Sequence, residues 1–199
     1  MTRETVKPAP GSGNVLLDEL ADWLMSQALG DGTLARTFEG CCNRLHALGV
    51  PVTRCHLAYR TLHPLFSAVT LTWRHGQVLD RIAYAHDHDD DGFRRSPLYY
   101  LMSSGLPFLR RRLRSEADTR EFPVLKDLFE AGITDYLVYM IPFGDIERSP
   151  AQSMSGTADA AATGRPTGIE DRDGLIGSWA TDHPEGFSDE DLNALRRIG

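Results

Sequence analysis

Gly174-Leu-Ile-Gly-Ser-Trp-Ala-Thr-Asp-His-Pro-Glu-Gly-Phe-Ser-Asp-Glu-Asp-Leu-Asn-Ala-Leu-Arg-Arg-Ile198 is the stretch whose reading decides the fold. It reads as a strand, a turn and a helix. Ser188 is placed to cap that helix, with Asp191 three residues on, where a capping-box acid sits. Phe187 and Leu192 occupy the two hydrophobic staple positions around the cap. Leu192, Leu195 and Ile198 then begin an apolar stripe that is still running at the last residue, Gly199. The stripe predicts a helix that continues into a further domain.

Working outward, Asp135 to Phe143 is the most apolar run of the chain and reads as a central strand. Between these two strands, residues 145–173 are built from Ser, Ala, Thr, Gly, Asp and Pro with almost no large apolar side chains. Such a segment does not bury enough surface to offset an ordering cost of about 1–2 kcal/mol per residue. A disordered insertion joining two neighbouring strands is expected there. Upstream, Val52–Thr61 is rich in β-formers, and Phe66–Arg74 alternates in period two. His75-Gly76-Gln77 turns the chain into Val78–Ala85, which makes a hairpin.

Helical spacing governs the other segments. Leu16, Leu20, Trp23 and Leu24 predict a helix over Val15–Leu29. Leu34, Phe38, Cys41, Leu45 and Leu48 predict a second over Thr33–Leu48. Ser96-Pro97 opens a short helix that ends at Gly105, and Phe122–Ala131 forms another that stops at Gly132. Leu106–Leu113 reads as a short edge strand, with Arg110, Arg111 and Arg112 divided between its two faces. The sum is an α+β domain: a central, mostly antiparallel sheet with the N- and C-terminal helices on one side and short helices and loops on the other. Residues 1–14 read as a flexible tail and 15–199 as one domain.

Composition excludes several classes. The chain has 199 residues and a formal charge of −7, which disfavours nucleic acid and anionic membranes as partners. No apolar run approaches the roughly 20 residues that cross a bilayer, and the N-terminus lacks the basic start and apolar centre of a signal peptide. A cytoplasmic location is expected. Cys41, Cys42 and Cys55 have no zinc-ligand spacing and form no disulfide framework, so Cys41 or Cys42 reads as a small hydrophobe on the buried face of a helix and Cys55 as a strand residue, with a redox role as the alternative.

The element order, with Trp179-Ala-Thr-Asp182 and Gly186-Phe-Ser-Asp-Glu-Asp-Leu192, resembles a GAF domain from about Val15 onward. Gly49-Val-Pro51, Thr61-Leu-His-Pro64, Trp73-Arg74, Arg94-Arg-Ser-Pro-Leu-Tyr99, Thr134-Asp-Tyr136 and Pro142-Phe-Gly144 resemble the N-terminal region of certain bacterial class III adenylate cyclases. The long 145–173 segment departs from a compact GAF domain. The resemblance implies a sensory or dimerising module that takes a small molecule beside its sheet, forms a homodimer through its first and last helices, and regulates cAMP synthesis by a downstream catalytic domain of the same polypeptide. It names no cofactor.

Candidate site residues follow from chemistry and from that resemblance. His86, His88 and Asp89, within His86-Asp-His-Asp-Asp-Asp91, read either as a solvated acidic loop or as ligands of a divalent cation. Arg94 and Arg95 precede a helix cap, where guanidinium groups suit a phosphate or carboxylate; a salt bridge to the acidic loop is the alternative. His63 lies before Pro64 between two strands, facing a pocket or bracing the turn. Trp73, Tyr99, Tyr136 and Trp179 are aromatic candidates for a pocket lining, with core packing as the competing role. No catalytic residues are assigned: the chain has no Gly-x-Ser-x-Gly, phosphate loop, His-Glu-x-x-His or Gly-x-Gly-x-x-Gly.

Overall fold

The computed structural model describes residues 12–86, 91–104, 106–142 and 174–198. The chain runs through α1 (Ser12–Ala28), α2 (Leu34–Ala47), β1 (Arg54–Arg60), β2 (Phe66–Arg74) and β3 (Asp80–Ala85). It continues through a single turn α3 (Asp91–Arg94), α4 (Pro97–Ser104), β4 (Phe108–Arg112), a 3₁₀ turn (Glu116–Thr119) and α5 (Pro123–Glu130). β5 (Asp135–Pro142), β6 (Gly174–Thr181) and α6 (Asp189–Ile198) complete it.

The strands make one antiparallel sheet in the order β3-β2-β1-β6-β5-β4. The last strand lies in the middle, hydrogen-bonded to the first on one side and to β5 on the other. In one cross-strand row Cys55 is the register partner of both Trp73 and Trp179, so chain segments far apart in sequence meet at the centre. β5 and β6 are neighbours, as the sequence implies, while the 145–173 segment that joins them lies outside the described residues.

Alternation gives the sheet two buried faces. One carries Cys55, Leu57, Leu71, Trp73, Leu137 and Trp179 and is covered by α1, α2 and α6. The other carries Leu109, Tyr136, Val138, Ile176 and Ala180 and is covered by α4 and α5. This is the expected α+β arrangement, with the terminal helices together and the short helices opposite. Each large side chain removed from water contributes about 1.5–3 kcal/mol, so both faces stabilise the sheet.

Local signals explain the helix positions. Ser188 accepts from the Asp191 N–H at 3.1 Å while its own N–H donates to the Asp191 carboxylate at 2.8 Å, a complete capping box. Phe187 and Leu192 are both buried in the terminal-helix core. Ser96 Oγ accepts from the Tyr99 N–H at 3.2 Å and starts α4 ahead of Pro97. α1 and α2 approach closely because position 40 is glycine: a Cβ there would lie 2.7 Å from the Trp23 ring. Arg44 stacks over that same ring, 3.8 Å from its centroid.

Several boundaries differ from the sequence reading. α1 begins at Ser12, inside the segment read as tail; residues 1–11 lie outside the described set. β3 begins at Asp80 rather than Val78, because the connection from Arg74 occupies the intervening residues and leaves Val78 exposed. The turns α3 and Glu116–Thr119 have no counterpart in the sequence reading, since one turn is too short to display a helical period. Among the described residues no helix is long and apolar enough to cross a membrane.

Candidate functional site

Between the α3–α4 segment on one side and the 3₁₀ turn with the start of α5 on the other lies a cavity of about 700 Å³. Arg94, Arg95 and Tyr99 line it with Tyr100, Arg120 and Lys126. α3 brings the first two there: the Arg95 N–H closes the turn on the Asp91 carbonyl, and the chain then passes through Ser96 into α4. Tyr99 meets Phe93 edge to face at 5.7 Å, and Tyr100 meets Phe122 in the same way at 5.6 Å. The two tyrosines are thereby held apart on the cavity wall.

Electrostatically this margin is cationic. Four cations face two lining carboxylates, Glu116 and Glu121. Glu121 is taken by Arg111, with N–O distances of 2.5 and 2.7 Å, and Lys126 has Glu130 at 3.8 Å. The Arg111 guanidinium holds the Glu121 carboxyl below the usual glutamate range. Arg95 has only a 4.0 Å contact with Asp91, both side chains being well exposed. Arg94 and Arg120 have no ion-pair partner among the described residues. The arrangement suits a small organic anion with an apolar ring: guanidinium groups supply charge-assisted bonds and tyrosines supply flat contact area. Its lining holds no histidine or cysteine.

The remaining candidates are distributed elsewhere. Trp73 and Trp179 are buried on the terminal-helix side, and the Trp73 indole donates to Asn43 Oδ1 at 3.1 Å. Tyr136 is buried on the opposite face, in the core beneath α4 and α5. His63 sits exposed in the β1–β2 connection, where its Nδ1 accepts from the Leu65 N–H at 3.1 Å and its ring stacks on Phe66 at 5.0 Å. Its carbonyl lies 3.1 Å from His86 Nε2, so the structure brings these two histidines together at one end of the β2–β3 hairpin. His88 and Asp89 lie outside the described residues. Among the described residues no three His, Cys, Asp or Glu side chains are grouped to hold a metal ion.

Two constellations were missed in the sequence. Asp135, fully buried, accepts from Arg110 at 2.5–3.1 Å and from the Phe187 N–H at 2.9 Å. Arg110 also donates to the Phe187 carbonyl at 2.7 Å. Arg110 and Arg112 do share a face of the edge strand, but Arg110 is engaged by a buried carboxylate rather than solvated. The second constellation is the polar row of Arg54, His56, Thr72 and Arg74 on β1 and β2. Arg54 and His56 stand two apart among β-formers, the only available hint that one face of β1 is not apolar.

No family model matches the sequence, and no curated protein matches it. Among solved structures the chain is similar to the A. aeolicus Nlh2 GAF domain in an inactive state, at 9% identity and a TM-score of 0.48 over 94% of this chain and 88% of the other. It is also similar to the GAF domain of a two-component sensor histidine kinase from Bacillus halodurans, at 12% identity and a TM-score of 0.40 over 92% and 87%. A third is the phycoerythrobilin-bound GAF domain from a cyanobacterial phytochrome, at 11% identity and a TM-score of 0.48 over 93% and 91%.

Proposed function

We propose that this chain is a regulatory domain of GAF type that takes up a small molecule, dimerises, or does both, and so controls a catalytic domain in the same polypeptide. The motif resemblances in the sequence make that output an adenylate cyclase and its product cAMP. The observation that carries the reading is the pairing of the first and last helices. α1 and α6 lie together over one sheet face, joined by an Arg197–Asp18 ion pair and by Leu20 and Leu195 in a shared core. A shift of one helix is therefore felt by the other, and α6 is the element through which motion would reach a following domain.

Dimerisation is supported by the outward surface of α1 and the turn that follows it, which expose Val15, Met25 and Leu29. Apolar side chains at that spacing suit a second copy of the same helix. Sedimentation of the purified chain tests this: a dimer at high micromolar concentration is expected, and Met25→Glu should dissociate it. A chain that stays monomeric rejects dimer gating. The coding sequence after Gly199 tests the output, since a stop codon there removes the cyclase reading.

A further inference from the structure

We infer that the sheet face opposite the terminal helices carries a seat for a compact oxyanion, the phosphate or carboxylate group of a small molecule, centred on Arg54 and Arg74. The inference goes beyond the regulatory reading and stands without it.

Arg54 and Arg74 are direct register partners across β1 and β2. Side chains so paired stand about 4.5–5.5 Å apart at Cβ, and like charges placed there repel. Both residues are half-buried, which strengthens the repulsion. Neither has an ion-pair partner among the described residues. No carboxylate stands in their own row of the sheet, which continues through Ala180 and Tyr136 to Arg111. One row away Asp80 pairs with Thr72 at the exposed β3 edge and forms no ion pair with either arginine.

The adjacent row adds the rest of the seat. Thr72, His56 and Ser178 are register partners in sequence across β2, β1 and β6. His56 Nδ1 bonds the Thr72 hydroxyl at 2.9 Å. Ser178 is 2% exposed, and its hydroxyl faces the buried Tyr136 phenol. Two guanidinium groups paired across neighbouring strands, with the hydroxyls of Thr72 and Ser178 on the same sheet face, are the complement of an oxyanion, which accepts from both arginines and cancels the repulsion. Burial, and then the charges of Arg54 and Arg74, push the His56 imidazole down to about 4. The histidine is thereby neutral and reports on any anion that arrives.

The experiment follows the His56 imidazole by NMR through a pH titration of the whole chain, in inorganic phosphate and in chloride at matched ionic strength. Phosphate should move the His56 titration upward and raise the thermal midpoint; Arg54→Gln and Arg74→Gln should each abolish both responses, and Arg114→Gln should keep them. Acetate run in parallel distinguishes carboxylate from phosphate as the preferred group. A response to neither anion beyond that of chloride, or one retained in both arginine variants, overturns the proposal. Arg74→Glu guards against loss of folding. It sets an opposite charge across from Arg54, so it should raise the midpoint of the anion-free chain while removing the phosphate response. A lower midpoint, or a retained response, counts against the seat.

Discussion

Asp135 and Gly186 lie so close that a methyl group at position 186 would stand 2.6 Å from the Asp135 Oδ2 oxygen. Gly186 also has φ +68°, a left-handed backbone that disfavours any Cβ. The carboxylate is fixed in turn by Arg110 and the Phe187 N–H. One buried anion therefore ties β4, β5 and the turn that launches α6 into a unit, and sets the direction in which the last helix leaves the sheet.

Gly186→Ala is accordingly expected to destabilise the chain by about 2–4 kcal/mol, summing backbone strain and the clash with a carboxylate that has no room to retreat. Urea unfolding followed by tryptophan fluorescence measures it. A loss below about 1 kcal/mol would mean that the turn relaxes freely around Asp135.

Asp135→Asn keeps the size of the side chain but removes the charge facing Arg110. Breaking a buried pair on one side costs about 3–5 kcal/mol, and the lower end applies because Arg110 is itself 22% exposed. The same unfolding experiment should show the loss, and Asp135→Asn with Arg110→Gln should recover part of it. Failure of the double variant to recover would place the stabilisation in the bond to Phe187 and the second ion pair, to Arg112 at 3.7 Å.

Stability should fall with acid through His56. Its folded-state pKa is depressed to about 4 from 6.5, so the unfolded chain binds the proton more readily in that window. The contribution is complete above about pH 6.5 and is lost as pH falls toward about 4, with at most about 3 kcal/mol at stake. Comparing the pH dependence of unfolding for the parent chain and for His56→Gln isolates it. Equal slopes in the two would mean that His56 is solvated.

The three cysteines should be silent toward a thiol reagent in the folded chain and all reactive in denaturant. Burial pushes the Cys41 thiol up to about 12, and burial followed by the neighbouring Cys55 raises Cys42; all three side chains are buried. Rapid labelling of any one under native conditions would reveal an opening of the α2–β1 interface.

Packing rather than charge should hold α6 in place. Leu195 is fully buried, and Leu195→Ala is expected to cost about 2–5 kcal/mol. Arg197 and Asp18 are both roughly half exposed, and Arg197→Gln should cost no more than about 1 kcal/mol. Thermal unfolding of the two variants compares them directly; a reversed order would make the ion pair the principal tie between the terminal helices.

Much of this architecture was legible in the residues themselves. Phe66–Arg74 and Gly174–Thr181 begin and end in the sheet where alternation and composition place them. The Ser188–Asp191 capping box forms as written, because both groups belong to one local turn and need nothing from elsewhere. Periodicity likewise sorted Leu20, Phe38, Leu45 and Leu195 onto buried faces, since burying an apolar stripe is a local pattern with one outcome.

Tertiary structure alone decided the rest. Nothing near Asp135 in sequence says that its charge is shared with Arg110 and the turn at Phe187, and nothing near Arg54 says that Arg74 stands opposite. Arg94, Arg95 and Tyr99 acquire meaning as a cavity wall only when Arg120 and Lys126 arrive beside them. Trp73 and Tyr136, candidates together in the sequence, fall on opposite faces of the sheet. Apolar burial is decided by period, which a sequence displays. Charge pairing is decided by which strands become neighbours, and the sequence does not order them until the last strand inserts between β1 and β5.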